Sequence, residues 1–190
     1  MSEIDWSDVA KEMRKSLSLP RKHASFFHWH KKDVMELHLC SLLVGNLEKN
    51  GESGFTKITE GGDPPDCIVS QSSVEFAIEV TELVVQESIE EQVKKNLAYV
   101  FGPEWTEPFL TKKLNTILAK KDNPKKKEKL RKKYGRYVLL IHTDESELDS
   151  ESFKRLFKKD KLISTSLIDE AYVVFSYDPR LNEEPIIRIK

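Results

Sequence analysis

Cysteine is scarce in this chain. Cys40 and Cys67 are the only two among 190 residues, too few for a four-thiolate zinc site or a disulfide framework. Long apolar runs are missing too. The longest, such as Tyr137 to Ile141, extend over about five residues, whereas a membrane-spanning helix needs about 20. The opening segment, MSEIDWSDVAKEMRKS, is charged throughout and holds no apolar core of a secretory signal. A soluble, cytoplasmic protein that does not enter membranes is the expectation. There is no phosphate loop, no dinucleotide glycine fingerprint and no Gly-x-Ser-x-Gly elbow. Ser70, Ser72 and Ser73 with His142 make no credible triad. Kinase, dehydrogenase and serine hydrolase chemistry are therefore disfavoured.

Charge is what the chain does have, and it is unevenly spread. The net charge is −1, yet residues 111–136 hold 12 Lys and Arg against two acids, Asp122 and Glu128. That segment carries +10 and the remainder −11. Few acids stand at i, i+4 to neutralise the lysines, so the segment repels itself unless a polyanion or an acidic partner binds. The length and a 38% hydrophobic content suit a single domain over residues 1–190. Residues 1–30 read as an N-terminal extension and 111–136 as a basic helical segment within the domain.

Periodicity supplies the elements. Ile4, Val9, Met13 and Leu17 predict an amphipathic helix over residues 1–22, stopped at Leu19-Pro20. Residues 23–30, HASFFHWH, are dense in rings. A strong helix is expected over 33–48, with Val34, Leu37, Leu42 or Leu43, and Leu47 on its apolar face. Asp33 suits its N-cap, with Glu36 three residues on. Strands are expected at 55–59, 67–69 and 74–83, and helices at 85–100 and 107–121. A second basic helix follows Asp122-Asn123-Pro124 and ends at Tyr134-Gly135. Strands at 137–141, 171–177 and 186–189 enclose a helix at 149–160. This order predicts a mixed sheet flanked by helices, an α/β domain.

The chemistry concentrates in Pro65 to Thr81, PDCIVSQSSVEFAIEVT. A hairpin turning on Ser72-Ser73 pairs Val69 with Phe76 and Cys67 with Ile78, apolar partners on one face. The same register sets Asp66 opposite Glu79. Two facing carboxylates repel, which makes sense if a divalent cation lies between them. Glu79 and Thr81 share one side of the strand, and the Val80 carbonyl lies near the same place.

This pattern resembles the PD-(D/E)XK nuclease superfamily, the fold of many restriction endonucleases. Pro65-Asp66 matches its first motif. Glu79-Val80-Thr81 matches the second, with Thr81 where the family usually has lysine. Glu36 matches the acid that the preceding helix often supplies. The resemblance covers roughly residues 33–142. It implies a restriction-endonuclease-like mixed central sheet flanked by helices, and a Mg²⁺-dependent (or Mn²⁺-dependent) nuclease hydrolysing phosphodiester bonds in DNA. Asp66, Glu79 and the Val80 carbonyl would hold the metal. Glu36 would support it from outside, and Thr81 and Gln92 would position water or phosphate. A lysine arriving from elsewhere would complete the set, with Lys94, Lys95, Lys120 and Lys121 as candidates. The nucleic-acid-binding residues would be Lys112, Lys113, Lys120, Lys121, Lys125, Lys126, Lys127, Arg131, Lys132 and Lys133, which grip phosphates without reading sequence. A homodimer is compatible with such an enzyme.

Plainer readings stand beside these. Asp33-x-x-Glu36 has capping-box spacing, so Glu36 has a purely local role open to it. Asp66 after two prolines is an ordinary turn residue, and Thr81 an ordinary strand residue. His23, His28, His30 and His38 read more readily as a packing segment than as a metal site. Phe26, Phe27 and Trp29 read as core more readily than as base-stacking platforms. The alternative function is a catalytically inactive nuclease-fold module that binds nucleic acid, or an acidic protein partner, through the basic segment.

Overall fold

The computed structural model of the chain describes residues 32–62, 64–95, 102–145 and 147–190. The expected N-terminal helix and the ring-dense segment lie outside these residues. Six strands form one sheet in simple sequence order: β1 (Phe55–Glu60), β2 (Cys67–Gln71), β3 (Val74–Glu82), β4 (Arg136–Thr143), β5 (Glu170–Phe175) and β6 (Ile186–Arg188). β1, β2 and β3 run as an antiparallel meander. β4 lies parallel to both β3 and β5, and β6 returns antiparallel at the far edge. The protein is thus a mixed α/β fold built on a six-stranded mixed sheet with flanking helices. Among the described residues no helix is long and apolar enough to cross a membrane.

The sequence pattern explains the placement. β4 is buried along nearly its whole length, as an unbroken apolar run between two parallel neighbours should be. The β2–β3 register is the one expected from a Ser72-Ser73 turn: Cys67 faces Ile78 and Val69 faces Phe76. Ser72 takes the left-handed conformation (φ 55°) that such a two-residue turn requires.

One sheet face packs against α1 (Lys32–Lys49). Leu39, Cys40, Leu43, Val44 and Leu47 of that helix meet Cys67, Val69, Phe76, Ile78 and Val80. The opposite face, carrying Ala77, Tyr137, Leu139 and Ile141, packs against α3 (Glu107–Lys121) through Leu110, Leu114 and Leu118. Between them in sequence lies α2 (Gln86–Lys95). α4 (Pro124–Lys133) follows α3 and contributes Leu130 to the same core. α5 (Ser150–Leu156) contributes Phe153.

Two expectations need correction. α1 already includes Lys32, so Asp33 sits in its first turn rather than at its N-cap. The capping box therefore does not account for Glu36. The helix expected over 149–160 ends at Leu156. Phe157 turns to extended backbone while its ring stacks on Phe153, 5.3 Å between centroids. The polar run Lys158 to Lys161 offers no further apolar side chain at helical spacing, and only a short 3-10 turn forms over Lys159–Lys161. The helix expected over 85–100 is described over Gln86–Lys95, with residues 96–101 outside the described part.

Candidate metal and phosphate site

The loop before β2 sets the position of Asp66. The Pro64-Pro65 bond is cis, and the Gly61 N–H donates to the Asp66 carbonyl at 2.8 Å. A Cβ on Gly61 would lie 2.0 Å from the Pro65 carbonyl oxygen, so only glycine lets the two segments close this tightly. The β2–β3 ladder ends at Cys67–Ile78, one step short of Asp66 and Glu79. Beyond that end the Val80 N–H has no β2 carbonyl to meet. The Asp66 carboxylate takes that place, with Oδ2 accepting from Val80 N at 2.7 Å. Within a strand the N–H and C=O of one residue point the same way, so the Val80 carbonyl also faces this open end.

Glu79 is 7% exposed and lies on the face of Ala77 and Tyr137. Tyr137 Oη donates to Glu79 Oε2 at 3.1 Å. Lys121 Nζ donates to Glu79 Oε1 at 2.6 Å. Lys121 arrives by helical geometry. Leu114, Leu118 and Lys121 stand at i, i+4 and i+7 of α3, on one stripe. The stripe that packs on the sheet thus ends in an ammonium directly over the buried acid.

The end of α3 is fixed in turn by Asp122. Its carboxylate accepts from the N–H groups of Leu167 (2.5 Å), Ser166 (2.8 Å) and Ile168 (3.4 Å). Partial burial opposes its charge, but these backbone donors outweigh that and hold the Asp122 carboxyl below the usual carboxylate range.

Glu36 approaches from the other helix. It is 8% exposed, and Lys32 Nζ lies 2.8 Å from its Oε1 and 3.9 Å from Asp66 Oδ1. Burial pushes the Asp66 carboxyl above the usual range, with the Glu36 charge adding to the effect. The Val80 N–H and the charges of Lys32 and Lys121 oppose it. Burial likewise raises the Tyr137 phenol, reinforced by the charge of Glu79. Tyr137 therefore stays a neutral donor that orients Glu79.

The structure sets Asp66 against the Val80 backbone and brings Glu36 near it from the α1 side through Lys32, while Glu79 lies on the opposite sheet face with Tyr137 and Lys121. Thr81 falls on the Glu79 side of β3, paired with Ile141, and is half-buried. Gln92 lies in α2; its side chain is outside the described residues. Of the four candidate lysines, Lys121 is the one paired with the site carboxylate. Lys95 pairs with Glu91 instead, and Lys94 and Lys120 point to solvent. Sequence reasoning missed Tyr137 and Lys32. Both had a legible signal: Tyr137 pairs with Ala77, diagonal to Glu79 on one face, and Lys32 stands four residues before Glu36.

The donor set suits a hard cation. Mg²⁺ commonly takes one or two carboxylates and completes its shell with waters, and Asp66, Glu79 and the Val80 carbonyl offer that set. Among the described residues no three His, Cys, Asp or Glu side chains converge as a metal-binding group, so such a site would be half-built of solvent or substrate oxygens.

The basic segment divides. Lys112, Lys120, Lys129, Lys132 and Lys133 are exposed. Lys113 is half-buried, with its Nζ 5.4 Å from the Phe109 ring centre. Arg131, expected among the phosphate-binding residues, instead forks onto Asp169 at 2.6 and 2.8 Å and donates to the Leu167 carbonyl at 2.9 Å. That pairing ties α4 to the strand entry at Glu170. The side chains of Lys125, Lys126 and Lys127 lie outside the described residues.

No protein-family model, no curated protein and no solved structure matches this chain.

Proposed function

We infer that the chain is a Mg²⁺-dependent nuclease of restriction-endonuclease-like fold that hydrolyses phosphodiester bonds in DNA. The observation that carries this reading is Lys121, whose Nζ lies 2.6 Å from Glu79 beside an Asp66 held at the open end of the β2–β3 ladder. The motif resemblance lacks its lysine at Thr81, and α3 supplies an ammonium to the same carboxylate pair.

The chain's own groups divide the work. Val80 N–H and Tyr137 Oη each anchor one oxygen of Asp66 and Glu79, which fixes where their remaining lone pairs point. A bound Mg²⁺ would supply Lewis-acid polarisation of the phosphate and a water of lowered pKa. Lys121 offsets charge that builds on the phosphate oxygens as the bond breaks. Glu36 adds negative field behind Asp66 without entering the pair. Thr81 donates a hydrogen bond to water or phosphate, and Gln92 on α2 assists. The exposed lysines of α3 and α4 hold the backbone of the polyanion.

One observation favours a second reading, a binding module without cleavage. Both oxygens of Glu79 already have protein partners, Lys121 and Tyr137. The test is a supercoiled-plasmid nicking assay in Mg²⁺ and in Mn²⁺, with the wild type and the Asp66→Ala/Glu79→Ala double variant. The enzyme reading expects metal-dependent nicking that the double variant loses. Salt-sensitive DNA binding with no nicking by the wild type would overturn it in favour of the binding module.

A further inference from the structure

The Asp66 and Glu79 carboxylates are anchored in similar ways. Each has one oxygen anchored by an uncharged donor: Asp66 Oδ2 by Val80 N at 2.7 Å, and Glu79 Oε2 by Tyr137 Oη at 3.1 Å. Each has its other oxygen turned towards an ammonium: Asp66 Oδ1 to Lys32 at 3.9 Å, and Glu79 Oε1 to Lys121 at 2.6 Å. Lys121 keeps 23% of its side chain exposed while Glu79 keeps 9%. The carboxylate is thus fixed, and the lysine has a path to solvent.

Resting on the metal-site reading above, we propose that Lys121, aided by Lys32, is an internal counter-cation that a divalent ion must displace from the Asp66–Glu79 pair. The neutral donors keep the carboxylates in place during the exchange. Without the lysines, Glu36, Asp66 and Glu79 would carry three charges in a largely buried cluster. With them the cluster carries one. An ammonium and a divalent ion compete for Glu79 Oε1, so each weakens the other's hold. A phosphate oxygen gives the displaced Lys121 a replacement partner, which makes metal and polyanion support each other's binding. Lys121 then has two partners, Glu79 and a phosphate, and these define two states of the site.

The experiment is calorimetric titration of Mn²⁺, without nucleic acid, into the wild type, Lys121→Met, Lys121→Arg and Lys154→Met. Removing the competing charge in K121M should tighten Mn²⁺ binding by at least about fivefold. K121R keeps the charge and K154M lies outside the site on exposed α5, so both should stay within about twofold of wild type. Binding by K121M with none detectable in wild type would also support the exchange. Wild-type binding that K121M leaves unchanged or weakens would overturn the inference and leave the metal-site reading standing. No binding by any of the four proteins would overturn both. Should K121M be unfolded without metal, Mn²⁺ should restore its far-ultraviolet circular dichroism, and failure to do so would count against the exchange.

Discussion

Asp122→Ala removes the residue that fixes the end of α3 and, through it, Lys121. Asp122 accepts two short backbone hydrogen bonds, from Leu167 and Ser166, and a longer one from Ile168. A hydrogen bond to a charged acceptor contributes roughly 1.5–3 kcal/mol when buried. Asp122 is only partly buried, and water reaches the freed N–H groups, so each of the two short bonds is discounted to about 1 kcal/mol. The expected loss is about 2 kcal/mol, or about 4–8 °C in Tm for a domain of this size. The sign of the pH dependence follows from the depressed carboxyl. Stabilisation by Asp122 is fully present above its unfolded value of about 3.9 and is lost as pH falls through its folded value. Urea melts of wild type and D122A should therefore differ most near neutral pH and converge in acid. Asp122→Asn, which keeps one acceptor oxygen, should fall between them. A D122A protein within about 0.5 kcal/mol of wild type at pH 7, or a gap that does not shrink in acid, would refute the reasoning.

Other consequences concern the site and its surroundings. Asp66→Asn keeps an oxygen for the Val80 N–H and removes a charge that burial and Glu36 disfavour. It should raise neutral-pH stability, and the gain should shrink as wild-type Asp66 takes up its proton at lower pH; a destabilised D66N would contradict this. His142 is held down to about 4 by burial, with the charge of His38 adding to it. Its imidazole should stay neutral by NMR titration until about pH 4. The stability it confers is present above about 6.5 and lost as pH falls towards 4; titration near 6.5 would refute its burial. Replacing exposed Lys112, Lys120 or Lys129 by Ala should weaken DNA binding alike for all sequences. Each phosphate-gripping lysine removed should lower the salt dependence by about one unit of slope, and an unchanged slope would place the polyanion elsewhere.

Much of this arrangement can be read without coordinates because local rules agree with the global fold. The β2–β3 register follows from matching Cys67 with Ile78 and Val69 with Phe76; Asp66, expected opposite Glu79, lies one step beyond the ladder and accepts from the Val80 N–H. β4 is legible because Tyr137 to Ile141 is apolar without alternation. The break between α3 and α4 is legible because Pro124 can begin a helix but cannot continue one. The early end of α5 is less legible, because Phe153 and Phe157 have helical spacing that tertiary packing then uses in an extended turn. Lys121 is a candidate in sequence only by proximity to a basic run. Its role depends on α3 crossing the sheet with Leu114 and Leu118 inward, a long-range relation that no local pattern states. Glu36 has two readings in sequence, a capping spacing and the acid of the resemblance; the helix begins before Asp33, and Lys32 sits near both Glu36 and Asp66.

The most direct test of the lysine assignment is the initial rate of plasmid nicking in Mg²⁺ by wild type, Lys121→Met and Lys154→Met. K121M should lose at least about a hundredfold in rate, the scale of removing one charge-stabilising donor from a reaction site, while K154M should stay within a few-fold of wild type. Nicking by K121M at the wild-type rate would contradict it and remove Lys121 from the chemistry.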